Sequence, residues 1–221
     1  MEQSVMTTRL KSRIKAIEKL EKDFIKKAGV HLDAGDMYLT HMFLLGAAQR
    51  TLCQSRGFRH LIGSKNFPSA TVLLRTQIDT AMRMNALPLI QDRESSMKRL
   101  MANEVQFDRL TTMDEGKQER LTDAYLRKRL SAEHPWIDRV YTETSDFVHL
   151  SFRHLWTAVA GVEDETRTVR FALSGMEAQR SQSDYFEVCD AFAAVSKLAY
   201  TMILASWGPV RPPQERPDRA A

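Results

Sequence analysis

Arg75, Asp79 and Arg83 recur at i, i+4 and i+8 within the apolar segment 66–89, NFPSATVLLRTQIDTAMRMNALPL. On a helix that spacing sets all three on one face, about one turn apart. Leu73, Leu74, Ile78, Ala81 and Met82 fill the rest of the circumference. A helix that is apolar nearly all round belongs in a core, and a core accepts charge where the charge is paired or used. Arg75 carries a planar fork of donors suited to a carboxylate or a phosphate. Arg83 would add a second ligand-binding cation, and Asp79 would orient the set.

Tyr141, Ser145 and His149 repeat the same spacing further along. There His149 is the candidate for acid/base work or phosphate contact, Tyr141 for hydrogen-bond donation, and Ser145 for ligand binding. If the two faces meet, they form one polar constellation. The structural alternative is an ion-pair ladder that locks the first helix, with His149 bonded to Asp79 or to a backbone carbonyl. A Ser145–His149 nucleophile is disfavoured, because a mid-helix serine has its neighbouring amides spent and no oxyanion hole. His149 and His154 stand five apart and do not share a helical face. With no HExxH and no paired CxxC, neither a metal nor a cofactor is expected. GxGxxG and P-loop patterns are missing as well.

ATVLLRTQIDTAMRM together with Tyr141-xxx-Ser145-x-Phe147-Val148-His149 resembles segments of a bacterial family of helical proteins, itself similar to the HEPN superfamily. The resemblance covers about residues 36–149. It implies a small helical bundle, often paired into a dimer. Many such bundles are RNases or RNA-binding proteins of toxin–antitoxin and phage-defence systems. Active members carry Arg-x(4–6)-His, in which arginine stabilises phosphate and histidine assists 2′-hydroxyl chemistry without a metal. Arg129 and His134 fit that spacing, as does Arg127, although Leu130 stands where a polar residue is usual. His149 has no arginine four to six residues before it, so Arg75 would have to supply the cation across the bundle.

Helices must position these groups. Leu10, Ile14, Ile17, Leu20, Phe24 and Ala28 follow 3–4 spacing and predict an amphipathic helix over about 5–28, capped by Gly29. A second is expected over 36–63, where Gly46, Ala47 and Ala48 would admit a neighbouring helix closely and Gly57 could break the run. The third opens at Asn66 with Pro68 in its first turn and ends near Pro88. A fourth starts at an Asp92 cap and runs to about 113. A fifth spans 117–132 and a sixth 136–154. Residues 157–162 and 168–173 read as a hairpin. Ser181 or Ser183 then caps a last helix over about 184–207.

The 221 residues hold 43% hydrophobic and 27% charged positions, nine glycines and seven prolines. So few breakers favour helices. The expected fold is mainly α: one bundle of six to seven helices over 1–208, a small β-hairpin before the last helix, an N-terminal amphipathic helix over 1–30, and a mobile tail over 209–221. The first helix is the expected extra dimer element. A net charge of +4 is mildly basic. The lysines of the first helix and the Arg120–Arg127–Lys128–Arg129 group are interleaved with acids and read as solvated faces. Cys53 and Cys189, without CxxC spacing, suggest a reducing compartment. No signal-like apolar run opens the chain, and the apolar run 191–207 falls short of a membrane span, so a cytoplasmic protein is expected. Two functions remain open: an RNA-directed effector or metal-independent RNase, with RNA or a second copy as partner, and a non-catalytic regulatory, antitoxin-like or ligand-binding protein.

Overall fold

The computed structural model describes residues 7–32, 37–114, 116–174 and 180–207. Among them lie eight α-helices and two small antiparallel sheets, a mainly α fold as the composition implies. In chain order they are α1 (Thr8–Leu32), α2 (Leu39–Gly63), α3 (Phe67–Ala86), α4 (Arg93–Met101), β1 (Thr111–Asp114), β2 (Lys117–Arg120), α5 (Asp123–Glu133), α6 (Trp136–Val148), α7 (Phe152–Ala158), β3 (Val159–Glu163), β4 (Thr168–Phe171) and α8 (Gln182–Ser206). The expected tail, 209–221, lies outside the described residues.

α3 and α8 form the centre. Leu74, Ile78, Ala81 and Met82 of α3 are buried, as are Val188, Cys189, Phe192, Val195, Ala199 and Ile203 of α8. Phe58 of α2 stacks on Phe192 with centroids 3.9 Å apart. Burial pushes the Cys189 thiol up to about 12, with Asp190 adding to the shift, so this cysteine is an inert core group. With its 25 residues, α8 alone among the described helices is long and apolar enough to cross a membrane. The apolar run from 191 is only its C-terminal part. The helix begins earlier and buries its apolar side in the bundle.

α1 lies across α2 and α8. Leu10, Ile17 and Phe24 are buried, and Phe24 stacks on Tyr200 at 4.2 Å. Its buried Glu21 accepts hydrogen bonds from Ser55 Oγ (2.6 Å) and from the Arg59 guanidinium (both 2.9 Å). Arg13 forks onto both carboxylate oxygens of Asp190 at 2.9 and 3.0 Å. Much of the apolar face of α1 is thus packed inside its own chain, while Ile25 and Val30 stay exposed.

Helix starts follow their side-chain caps. Asn66 accepts from the Ser69 amide (3.2 Å), Asp92 from Ser95 (3.1 Å) and Ser181 from Asp184 (3.2 Å). Several helix ends depart from expectation. α1 runs through Gly29 to Leu32. α4 stops at Met101, because Asn103 turns left-handed (φ 56°) and its amide and that of Glu104 close back onto Leu100 and Arg99. Only the first part of the expected fourth helix therefore forms, and its end gives way to a second hairpin, β1–β2, turned at Gly116 (φ 79°). α5 starts only at Asp123, after a Thr122 cap. α6 ends at Val148 rather than His154. There the Ser151 hydroxyl donates to the Asp146 carbonyl (2.8 Å) and accepts from the Arg153 amide (3.3 Å), closing one helix and starting α7.

Two glycines of α2 depart from expectation. α2 is unbroken at Gly57, where a Cβ would sit 3.2 Å from Leu73 Cδ1, so Gly57 is the point of close approach to α3. A Cβ at Gly46 would meet nothing within 4 Å.

Candidate functional site

The two striped helices do pack together. The Arg75 guanidinium carbon lies 3.5 Å from the centroid of the Tyr141 ring, and its Nε donates to Ser145 Oγ at 3.4 Å. Phe67 meets Phe147 edge-on at 6.0 Å further along the same joint. Arg127 of α5 brings a second guanidinium against the Tyr141 ring, at 4.5 Å. It is held by Asp138 (2.7 Å) and by the Thr142 hydroxyl (2.7 Å). Each such cation–ring contact is worth about 0.5–2 kcal/mol, depending on desolvation. Among the described residues no carboxylate forms an ion pair with Arg75.

Asp79 and Arg83 belong to a different environment. They pair with each other, and Arg83 also reaches Asp123 of α5 at 3.4 Å. Both line a groove between α2, α3 and α4, on a different flank of α3 from the Tyr141 contact. The single stripe of the sequence is therefore split. One turn of α3 faces α6, and the next two face the groove and α5. Asp79 orients Arg83, not Arg75 or a histidine.

His149 leaves the helix. It is the residue after α6, with an extended backbone (φ −106°, ψ 148°), and only its amide still reaches the Ser145 carbonyl, at 3.4 Å. Its side chain is exposed and bonds neither Asp79 nor a backbone carbonyl. The i, i+8 geometry expected from Tyr141 is lost, because the Ser151 cap pulls the chain out one turn early. Ser145 Oγ donates to the Tyr141 carbonyl at 2.7 Å, so no Ser145–His149 dyad forms. His149 nonetheless stays one turn beyond the residue that Arg75 touches.

His154 has a capping role, its Nδ1 accepting from the Ser151 amide at 3.2 Å. The alternative motif lies on α5: Arg129 is half-buried in the helix, and His134 is its C-cap, the amide bonded to Leu130 at 3.0 Å. No group of three or more metal-binding side chains exists among the described residues.

Two features are not legible in the sequence. Arg127 reads there as part of a solvated basic group and as a partner for His134 at the Arg-x(4–6)-His spacing, whereas it sits on Tyr141; its spacing of three to the buried Leu130 is the available sign that it faces inward. The groove was missed because it draws on three helices. Its methionines (Met42, Met84, Met97, Met101) are spread over α2, α3 and α4, so no single periodicity announces it.

Comparison with protein-family models, with curated proteins and with solved structures gives no match.

Proposed function

We propose that the protein is an RNA-directed helical effector of the defence or toxin kind, acting as a metal-independent RNase. The observation that carries this reading is Arg75: without a carboxylate partner among the described residues, over the Tyr141 ring, and joined there by a second arginine. Two guanidiniums on one ring suit a phosphate flanked by a stacking base. The exposed His149 one turn away supplies the acid/base group. In that reaction the 2′-hydroxyl gives its proton to His149 and its oxygen attacks the adjacent phosphorus. The P–O5′ bond then breaks, and the departing 5′ oxygen takes a proton from water. A 2′,3′-cyclic phosphate and a 5′-hydroxyl result, and His149 returns its proton to solvent. Arg75 stabilises the charge gathered on the phosphorane oxygens.

The test is cleavage of a defined single-stranded RNA in EDTA, read on a denaturing gel. The wild type should cut, and His149→Ala should lose at least about 100-fold in rate, the usual yield of a positioned acid/base group. The melting temperature should hold, since the side chain is exposed. A metal requirement, or full activity in His149→Ala, contradicts the mechanism.

The same reading includes a homodimer, formed through α7 and the β3–β4 hairpin. Leu150, Phe152, Trp156 and Leu173 are 94%, 83%, 65% and 95% exposed, and Val148, Leu155, Val162, Val169 and Phe171 add to them. Together they offer roughly 1,000 Å² of apolar side chain, above the few hundred usual on a monomer and near the ~800 Å² per partner of a stable interface. The segment's charges balance, Glu163, Asp164 and Glu165 against Arg153, Arg167 and Arg170. That self-complementarity suits a second copy better than an anionic surface.

A non-catalytic regulatory or antitoxin-like role is the second reading. It is favoured by the Arg75–Ser145 bond, which ties α3 to α6 as a structural joint would. On that reading Arg75→Ala lowers the melting temperature and removes no activity.

A further inference from the structure

The geometry points to a binding site for a small organic monoanion with an elongated apolar body, an acyl or aryl carboxylate, in the groove between α2, α3 and α4. The groove encloses about 640 Å³, within the range of small-molecule sites. Met42, Gly46 and Arg50 stand at i, i+4 and i+8 along α2 and form one wall. Met84 of α3 and Met97 of α4 are buried at its floor. Phe107, stacked on Phe43 at 6.0 Å, adds an aromatic pair to the lining. Methionine-rich walls adapt to flexible apolar ligands, because the thioether chain repacks at small cost.

The head group follows from the charges. Asp79 and Arg83 cancel each other within the lining. Arg50 remains. Its Nε donates to Thr80 Oγ1 at 3.1 Å, which fixes the guanidinium at the groove's edge, and no carboxylate among the described residues forms an ion pair with it. Arg50 is therefore the cation of the lining that has no carboxylate partner among the described residues, and one carboxylate would match it. A phosphate dianion would bring a second negative charge beside Asp79.

Gly46 is the second observation. It lies in the wall, yet beyond its chain neighbours and the adjoining backbone of its own helix no atom comes within 4 Å of where its Cβ would be. An exposed glycine inside a long helix costs about 1 kcal/mol relative to alanine. Here it leaves room in the wall of the groove, which the packing of the protein does not use.

Titration calorimetry of the full chain with dodecanoate, dodecanol and dodecyl phosphate, each below its micelle-forming concentration, tests the site. Dodecanoate should bind one per chain, and dodecanol about tenfold or more weakly, the value of a hydrogen bond to a charged group. Arg50→Ala should bring dodecanoate down to the dodecanol level. Gly46→Leu should abolish both while keeping or raising the melting temperature, so loss of binding is not loss of fold. Equal binding of acid and alcohol, tighter binding of dodecyl phosphate, no binding of dodecanoate, or undiminished binding in Gly46→Leu would each overturn the assignment. A change of oligomeric state in Gly46→Leu would also overturn it, by giving the groove to a second copy. None of these readings depends on RNA.

Discussion

Single side chains decide more here than their types suggest. Arg75, Asp79 and Arg83 look equivalent in the sequence, yet each meets a different fate: Arg83 is neutralised by Asp79 and Asp123, whereas Arg75 keeps an aromatic and a hydroxyl partner. Glu94 of α4 is a clearer case of one group joining two elements. It accepts the amides of Leu39 and Thr40, both at 2.9 Å, and the Thr40 hydroxyl, capping α2 from outside its own helix. Burial alone would raise its pKa. The three hydrogen bonds outweigh that, with His41 helping, and hold the carboxyl below the usual carboxylate range. A depressed pKa means stability that is fully present above the ordinary value and lost as pH falls through the folded one. Glu94→Gln should therefore cost about 1 kcal/mol at neutral pH, roughly 2–4 °C of melting temperature in a chain this size. In thermal melts across pH the gap between wild type and variant should close in acid. A gap that persists below the carboxylate range would show that the cap does not act through its charge.

At the scale of elements, the apolar spacing and the caps were legible. Leu10, Ile17 and Phe24 announced α1, and Asn66, Asp92 and Ser181 marked three helix starts because a side-chain acceptor at that position satisfies orphan amides locally. The packing of α3 on α6, the core of the candidate site, also followed from the matched spacing of their polar residues. What failed were helix ends and short sheets. α4 ends through backbone bonds at Asn103 and Glu104 that carry no side-chain signature. Ser151 ends α6 and opens α7, and a serine in that context reads equally well as mid-helix. β1–β2 was hidden because Thr112 is tied to the Leu89 carbonyl (2.9 Å), a contact far away in sequence. Losing one turn of α6 moved His149 from a helical face to an exposed corner, so the site was half legible: its arginine and tyrosine were placed, its histidine displaced. Gly57 rather than Gly46 meets a neighbouring helix for the same reason, since whether a glycine faces a neighbour or open space depends on the partner helix.

Over the whole molecule, the core and the apolar surface are set apart. The bundle buries α3 and α8, while α7 and the β3–β4 hairpin keep their large apolar residues outside. With the dimer placed on that face, replacing Phe152 and Trp156 together by Asp should shift the chain from dimer to monomer in analytical ultracentrifugation at micromolar concentration. Helical circular dichroism should stay unchanged, since neither residue belongs to the core. A wild type that sediments as a monomer at every concentration would remove the dimer from the account.

On the proposed function Arg75 is held ready for a phosphate, whereas Arg83, paired with Asp79 and Asp123, is not. The affinity of single-stranded RNA, in EDTA, for the wild type, Arg75→Gln and Arg83→Gln over a range of salt separates the two. Arg75→Gln should bind roughly tenfold more weakly, with a log–log salt slope shallower by about 0.7–1, the signature of one lost phosphate contact. Arg83→Gln should stay within about twofold of the wild type, because its charge is already cancelled. Equal losses in the two variants, or RNA bound no more weakly by Arg75→Gln than by the wild type, would contradict the account.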